Sequence, residues 1–280
     1  MQATQAAGAV TQARLILNQQ VRAQRAFTTQ VVVWWGVFLF LLVFVFSGIK
    51  ITLGPIAIQT IQLDQEFIQQ WARFISEGVP KTLEICVESI FFASLLALLA
   101  ALGRLSRIPP VYALSTFYVS LIRGTPLYLQ IFFFFLALPQ MGLVLPGPVA
   151  GVVALSLNYG AYMSEIFRAG IQSVSKGQRE AALALGMTNG QMMRRIVLPQ
   201  ALRLVVPPTG NEFIAMLKDS SLVSATGFVQ EIMWRATKVG RANFRGLEAL
   251  LVAALWYWGM TIIFSWLQSR LEKRMSRGER

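Results

Sequence analysis

Long apolar runs dominate the chain. Runs of spanning length occupy 31–49 (VVVWWGVFLFLLVFVFSGI), 80–102 and 247–267, and three further runs at 111–138, 148–171 and 202–222 hold polar residues within them. About twenty apolar residues cross a bilayer as a helix, and a backbone in hydrocarbon must bond itself. The pattern predicts an all-α integral membrane protein with about six transmembrane helices. Residues 50–79 are mixed and read as a loop with a short surface helix. Pro109 and Pro110 separate the second run from the third, and RGTP at 123–126 interrupts the third. Pro126 removes a backbone donor, and Gly124 loosens the helix. A break at that depth needs protein or water to satisfy the freed groups.

Six crossings put both termini on one side. Arg14, Arg22, Arg25, Arg104, Arg107, the 176–203 region and the basic end RLEKRMSRGER share that side, whereas Lys238, Arg241 and Arg245 fall opposite. The positive-inside rule makes the richer side cytoplasmic. Residues 1–30 then read as a cytoplasmic tail, disordered or loosely helical. Residues 31–77 are an N-terminal helix with an external loop, 78–275 the main membrane domain, and 276–280 a second cytoplasmic tail.

Composition adds exclusions. Of 280 residues 55% are hydrophobic and 14% charged, and 25 Lys and Arg against 13 Asp and Glu give a net charge of +12. Those cations border apolar runs, so the charge reports orientation and not nucleic-acid binding. There is no histidine and one cysteine, Cys86. A His-based triad, a structural disulfide and a Cys/His zinc site are excluded within one chain, and neither a catalytic nor a metal site is expected. No phosphate-binding loop of the G-x-x-x-x-G-K-[ST] type occurs, so ATP is not bound here by that mechanism.

One segment does not suit lipid. EAALALGMTNGQMMRRIVLP at 180–199 lies on the cytoplasmic side between the fourth and fifth runs. Glu180 suits a helix N-terminus, Ala181, Ala182 and Leu185 form a small apolar face, and Gly186 permits a turn. A second short helix follows over 187–197, with Arg194 and Arg195 near its end and Pro199 as its stop. Such a shape fits either a groove on a cytoplasmic partner or the headgroup layer.

Glu180, Ala181, Ala182, Gly186, Ile196, Leu198 and Pro199 reproduce the spacing E-A-A, three residues, G, nine residues, I-x-L-P. This resembles the EAA loop of ABC importer permeases. RGTPLYLQ at 123–130, NYGAYMSEIFRAGIQSVSKGQREAALALGM at 158–187, LPQALRLVVPPTGN at 198–211 and LKDSSLVS at 217–224 resemble the permeases of the polar amino-acid uptake group. The likeness covers about 78–275, a five-helix core, and leaves the first helix as an addition.

The resemblance implies a permease subunit that is not itself an enzyme, in the inner membrane. A separate ATPase, in two copies, would bind ATP and Mg and dock on the loop at 176–203, with Arg194 and Arg195 among the contacts. It further implies a second permease chain, same or sister, and an external substrate-binding protein that delivers an amino acid. A secondary transporter driven by an ion gradient is the alternative.

An α-amino acid is a zwitterion, and ionisable residues inside a membrane are functional candidates. Glu165 and Arg168 share a helix face, either as an ion pair or as substrate contacts. Lys218, Ser220 and Ser221 sit where unwound backbone could serve a carboxylate, although Lys218 could equally neutralise Asp219 or Glu212. Asn158 is a further candidate.

Overall fold

The computed structural model describes residues 2–53 and 56–275, with side chains from Gln20 onward except 21, 51 and 53–58. The expected tail at 276–280 lies outside the described residues. The chain divides into compact units at 1–65 and 66–280.

In the first unit the expected tail and first span are one helix, α1 (Gln2–Val45). Its 44 residues extend about 66 Å at 1.5 Å per residue, roughly twice the hydrocarbon thickness. Only Arg22–Val45 is apolar enough to cross, and Trp34, Phe38 and Phe40 in it are exposed. A hairpin of β1 (Lys50–Leu53) and β2 (Ile56–Gln59) follows, Thr52 opposite Ala57. The loop expected over these residues hid a pair of β-rich runs around Gly-Pro, which is a hairpin signal.

The second unit opens with α2 (Gln65–Ser76), the expected surface helix, and α3 (Val79–Arg104). Helix α3 packs closely on α6 (Gly147–Ser173) through small residues. Ala93, Ala97 and Ala101 of α3 and Ala150, Ala154 and Ala161 of α6 are all fully buried. Small residues let backbones approach where lipid supplies no hydrophobic drive. At Gly160 a Cβ would come within 2.9 Å of Leu96 Cβ and 2.8 Å of the Tyr118 hydroxyl.

Among the described residues, Arg22–Val45, Gln65–Arg104 and Gly246–Met275 are long and apolar enough to cross a membrane. A bent pair, α4 (Pro109–Arg123) with Leu127–Met141, adds a fourth candidate. Helices α6 and α9 (Leu198–Asp219), expected as spans, have 27 and 22 residues but hold Asn158, Glu165 and Arg168, and Glu212, Lys218 and Asp219. A helix walled by protein needs no continuous apolar surface.

The third run is interrupted where expected, and it bends sharply there. Helix α4 and α5 (Leu127–Phe132) diverge by 105° at the RGTP break. Tyr118 of α4 donates to the Leu157 carbonyl and Arg123 reaches Glu165, so α4 lies across the middle of α6. From the break, α5, a π-turn at Phe133–Ala137 and a 3-10 turn at Leu138–Met141 lead to the start of α6.

Helix α6 ends beside α7 (Lys176–Ala184) and α8 (Asn189–Met192), and α9 starts there. This end carries the segment at 180–199. A π-turn at Met193–Val197 joins α8 to α9. Pro199 therefore does not stop a helix; it occupies the first turn of α9, where a missing N–H costs nothing. At the far end a 3-10 segment (Ser220–Thr226), α10 (Ile232–Ala242) and α11 (Gly246–Met275) complete the unit.

Candidate coupling and translocation sites

The segment at 180–199 forms a rigid projection with its own small core. Ile171, Val174, Ala182, Met192, Val197 and Ala201 are buried together. Arg179 donates to the Ile171 carbonyl and, at 3.3 Å, to the Val174 carbonyl, which satisfies the C-terminus of α6. Gly186 turns with φ +79°, and the Met187 N–H bonds back to the Ala182 carbonyl at 3.1 Å. Thr188 and Gln191 form a reciprocal capping box on α8.

The motif divides by face. Ala182 is buried, whereas Glu180, Ala181, Gly186, Arg194, Arg195 and Pro199 are exposed, and Ile196 and Leu198 are half-buried. Ala181 and Ala182 thus do not share the outer face expected of them. The tip is Leu185, 79% exposed. Lys176 pairs with Glu180 at 3.4 Å on the outside.

Deeper in α6, Glu165 joins three helices. It accepts from Arg104 at 2.5 Å, from Arg123 at 3.3 Å and from Arg168 at 3.1 and 2.9 Å. Arg123 also lies over the Tyr162 ring, 5.0 Å from its centroid. Both Glu165 oxygens are occupied, so the residue clasps α3, α4 and α6. The Glu165–Arg168 pair is the expected one; Arg104 and Arg123 are distant in sequence and gave no spacing signal.

Two turns nearer the start of α6, Asn158 is buried and donates to the Gln130 side-chain oxygen at 3.1 Å. The Gln130 amide donates to the Ile122 carbonyl at 2.8 Å and the Thr125 carbonyl at 3.1 Å. Gln130 and Thr125 therefore satisfy the backbone freed at the break. Gln130 lay inside a recognised motif, but nothing in sequence ties it to Ile122 or Asn158.

At the end of α9, Asp219 accepts from the Tyr159 hydroxyl at 2.8 Å. Lys218 is exposed; Ser220 is fully buried and donates to the Leu217 carbonyl at 2.8 Å; Ser221 is half-buried. Of the predicted substrate residues, Glu165 pairs with Arg168 and Asn158 with Gln130, while Lys218, Ser220 and Ser221 flank Asp219, which the Tyr159 bond ties to the middle of α6 beside Asn158. No group of metal-ligating side chains gathers among the described residues.

One buried acid escaped the sequence reading. Glu231 is fully buried and caps α10, accepting from the Met233 and Trp234 N–H groups at 2.8 and 2.6 Å and from the Tyr257 hydroxyl at 2.5 Å. Burial raises its pKa from 4.5 to about 7, against the opposing pull of those bonds. The folded state therefore keeps this proton where the unfolded chain has lost it. Stability is then expected to fall as pH rises from about 4.5 to about 7, by on the order of 3 kcal/mol at most. Thermal midpoints in detergent at pH 5 and pH 8 check this, with Glu231→Gln showing a flatter dependence; equal slopes would refute it.

Residues 93–277 match the profile of the family described as binding-protein-dependent transport system inner membrane component. The L-cystine transport system permease protein TcyB of Bacillus subtilis is 39% identical over 75% of this chain and 89% of its own. The arginine transport system permease protein ArtQ of the same organism is 40% identical over 72% of this chain and 92% of its own. A crystal structure of an amino acid ABC transporter with histidines superposes with TM-score 0.71 at 38% identity, covering 76% of this chain and 99% of that one. The MetNI methionine ABC transporter in an inward-facing form shares the fold, with TM-score 0.63 at 18% identity.

Proposed function

The chain belongs to the family of binding-protein-dependent transport system inner membrane components, and we propose that it is the permease subunit of an ATP-driven importer for polar amino acids. It is a multi-pass inner-membrane protein. A separate ATPase, binding ATP and Mg in two copies, docks on α7 and α8. Two permease chains, identical or sister, enclose the path, and an external binding protein feeds it. Both termini lie in the cytoplasm.

The observation that carries this reading is the projection at the coupling end. A headgroup-lying loop would present a broad apolar face; here the exposed large apolar side chains over 180–199 are Leu183 and Leu185, in a segment that also exposes Glu180, Arg194 and Arg195, on a base with its own core. That form suits a protein groove. Because the base joins the end of α6 to the start of α9, displacement of α7 and α8 moves both helices. Helix α6 carries it to the Glu165 clasp, and α9 carries it to Asp219 and Tyr159. Asp219, Lys218 and Ser221 line the path in this reading, while Glu165, Arg168 and Asn158 hold its walls.

The test is affinity purification of the tagged chain in mild detergent, with co-purifying subunits identified by mass spectrometry. An ATPase accompanies the native chain and is lost with Glu180→Arg and with Leu185→Glu. A native chain that purifies without any ATPase would move the ion-gradient transporter to first place.

A further inference from the structure

A cavity of about 660 Å³ opens at the far end, remote from both the coupling projection and the Glu165 clasp. Its walls are α10, the 3-10 segment after α9, and the start of α5. Trp234, Thr237, Lys238 and Arg241 recur at helical spacing and give α10 one face on the cavity. Ser221 and Ser224, three apart, eclipse on the 3-10 segment and give the opposite wall.

The chemistry of the lining is specific. Its charged groups are Lys238 and Arg241, and it includes no carboxylate. The Lys238 ammonium lies 4.7 Å from the Trp234 ring centroid, and the Trp234 indole N–H donates to the Gly227 carbonyl at 2.7 Å, so the ring is a fixed platform. The Ser224 hydroxyl donates to the Ser221 carbonyl at 2.6 Å, and the Thr237 hydroxyl to the Met233 carbonyl at 2.8 Å. With their protons committed to backbone, those two oxygens offer lone pairs to a ligand. The wall thus presents two cations for a carboxylate and hydroxyl acceptors for an ammonium group.

We propose that this far-end cavity is an entry subsite for a free amino acid, in which Lys238 and Arg241 bind the α-carboxylate and Ser224 and Thr237 accept from the α-ammonium. The inference rests on the importer reading and extends it in two ways. It places a first contact before the path along α6 and α9, and it sets a charge preference. A lining with two cations and no acid favours neutral and acidic amino acids over basic ones.

Equilibrium binding of radiolabelled L-glutamine to the permease–ATPase complex in lipid nanodiscs, without the external binding protein, tests it. Binding is saturable, and Lys238→Gln with Arg241→Gln weakens it about tenfold or more, as expected for losing charge-assisted contacts. Lys238→Arg keeps the affinity within about threefold, since the charge remains. L-arginine competes about tenfold more weakly than L-glutamine. The thermal midpoint of each variant confirms that the complex is intact. Absence of saturable binding, native affinity in the double variant, or equal competition by L-arginine would overturn the proposal. Parallel uptake assays keep the two readings apart. Native complex that shows no ATP-driven amino-acid uptake defeats the importer reading itself. Native uptake together with unaltered binding in the double variant defeats only the entry subsite.

Discussion

Gln130→Leu is expected to lower stability by about 3 kcal/mol and to abolish transport. The glutamine is 4% exposed, and its amide donates to two carbonyls at the RGTP break and to the Thr125 hydroxyl at 2.9 Å, while its oxygen accepts from Asn158. Leucine fills the space but answers none of these groups. The buried Asn158 amide and the half-buried Thr125 carbonyl then lose their partner, each at about 1–3 kcal/mol, with no water in the bilayer core to replace it. The Ile122 carbonyl keeps a weaker donor in Thr125, at 3.4 Å, which limits the loss there. Thermal midpoints by size-exclusion chromatography measure the effect. The double change Gln130→Leu with Asn158→Leu costs less than the sum of the two single changes, because each single change leaves a partner stranded. Strict additivity would show that the network does not hold the bend.

Glu165→Gln carries the second large effect. One carboxylate sits among Arg104, Arg123 and Arg168, whose side chains are 19%, 42% and 32% exposed. Removing its charge leaves three guanidinium groups close together with no anion between them. Breaking a buried pair costs about 3–5 kcal/mol, and partial exposure here reduces that to about 2 kcal/mol. The functional loss is larger, at least about tenfold in uptake, because the clasp joins α6 to α3 and α4 and so relays displacement of the coupling projection. Arg104→Gln is expected to approach the Glu165→Gln effect. Arg123→Gln is expected to fall well short, since its contact is 3.3 Å long and more exposed. Uptake rates and thermal midpoints for the three variants give the order; the reverse order for Arg104 and Arg123 would contradict the clasp.

Much of the bundle was legible because lipid imposes simple rules. Continuous hydropathy marked the apolar part of α1, α3 and α11, and Pro126 after Gly124 marked the break. Its 105° bend was not legible, because direction depends on what α4 packs against. Pro199 misled for a related reason. Proline after a helical pattern usually stops it, yet the π-turn at Met193–Val197 lets the chain run straight into α9. The coupling motif was the clearest signal, since its residues are contiguous. Which of its alanines faces inward depends on Ile171 and Ala201, and that needed the fold.

The groups hardest to read were those with distant partners. Gln130 works through Asn158, 28 positions away, and Glu231 through Tyr257, 26 positions away. Glu165 drew notice as an intramembrane charge, but Arg104 is 61 positions from it. Short spacings on one helix were readable; contacts between helices were not.

The most direct measurement is amino-acid uptake into proteoliposomes containing this chain, its ATPase and its permease partner, with binding protein supplied outside. Uptake is expected only with ATP, and to persist when ionophores dissipate every ion gradient. Uptake by the chain alone that needs no ATP and collapses with the ionophores would contradict the account.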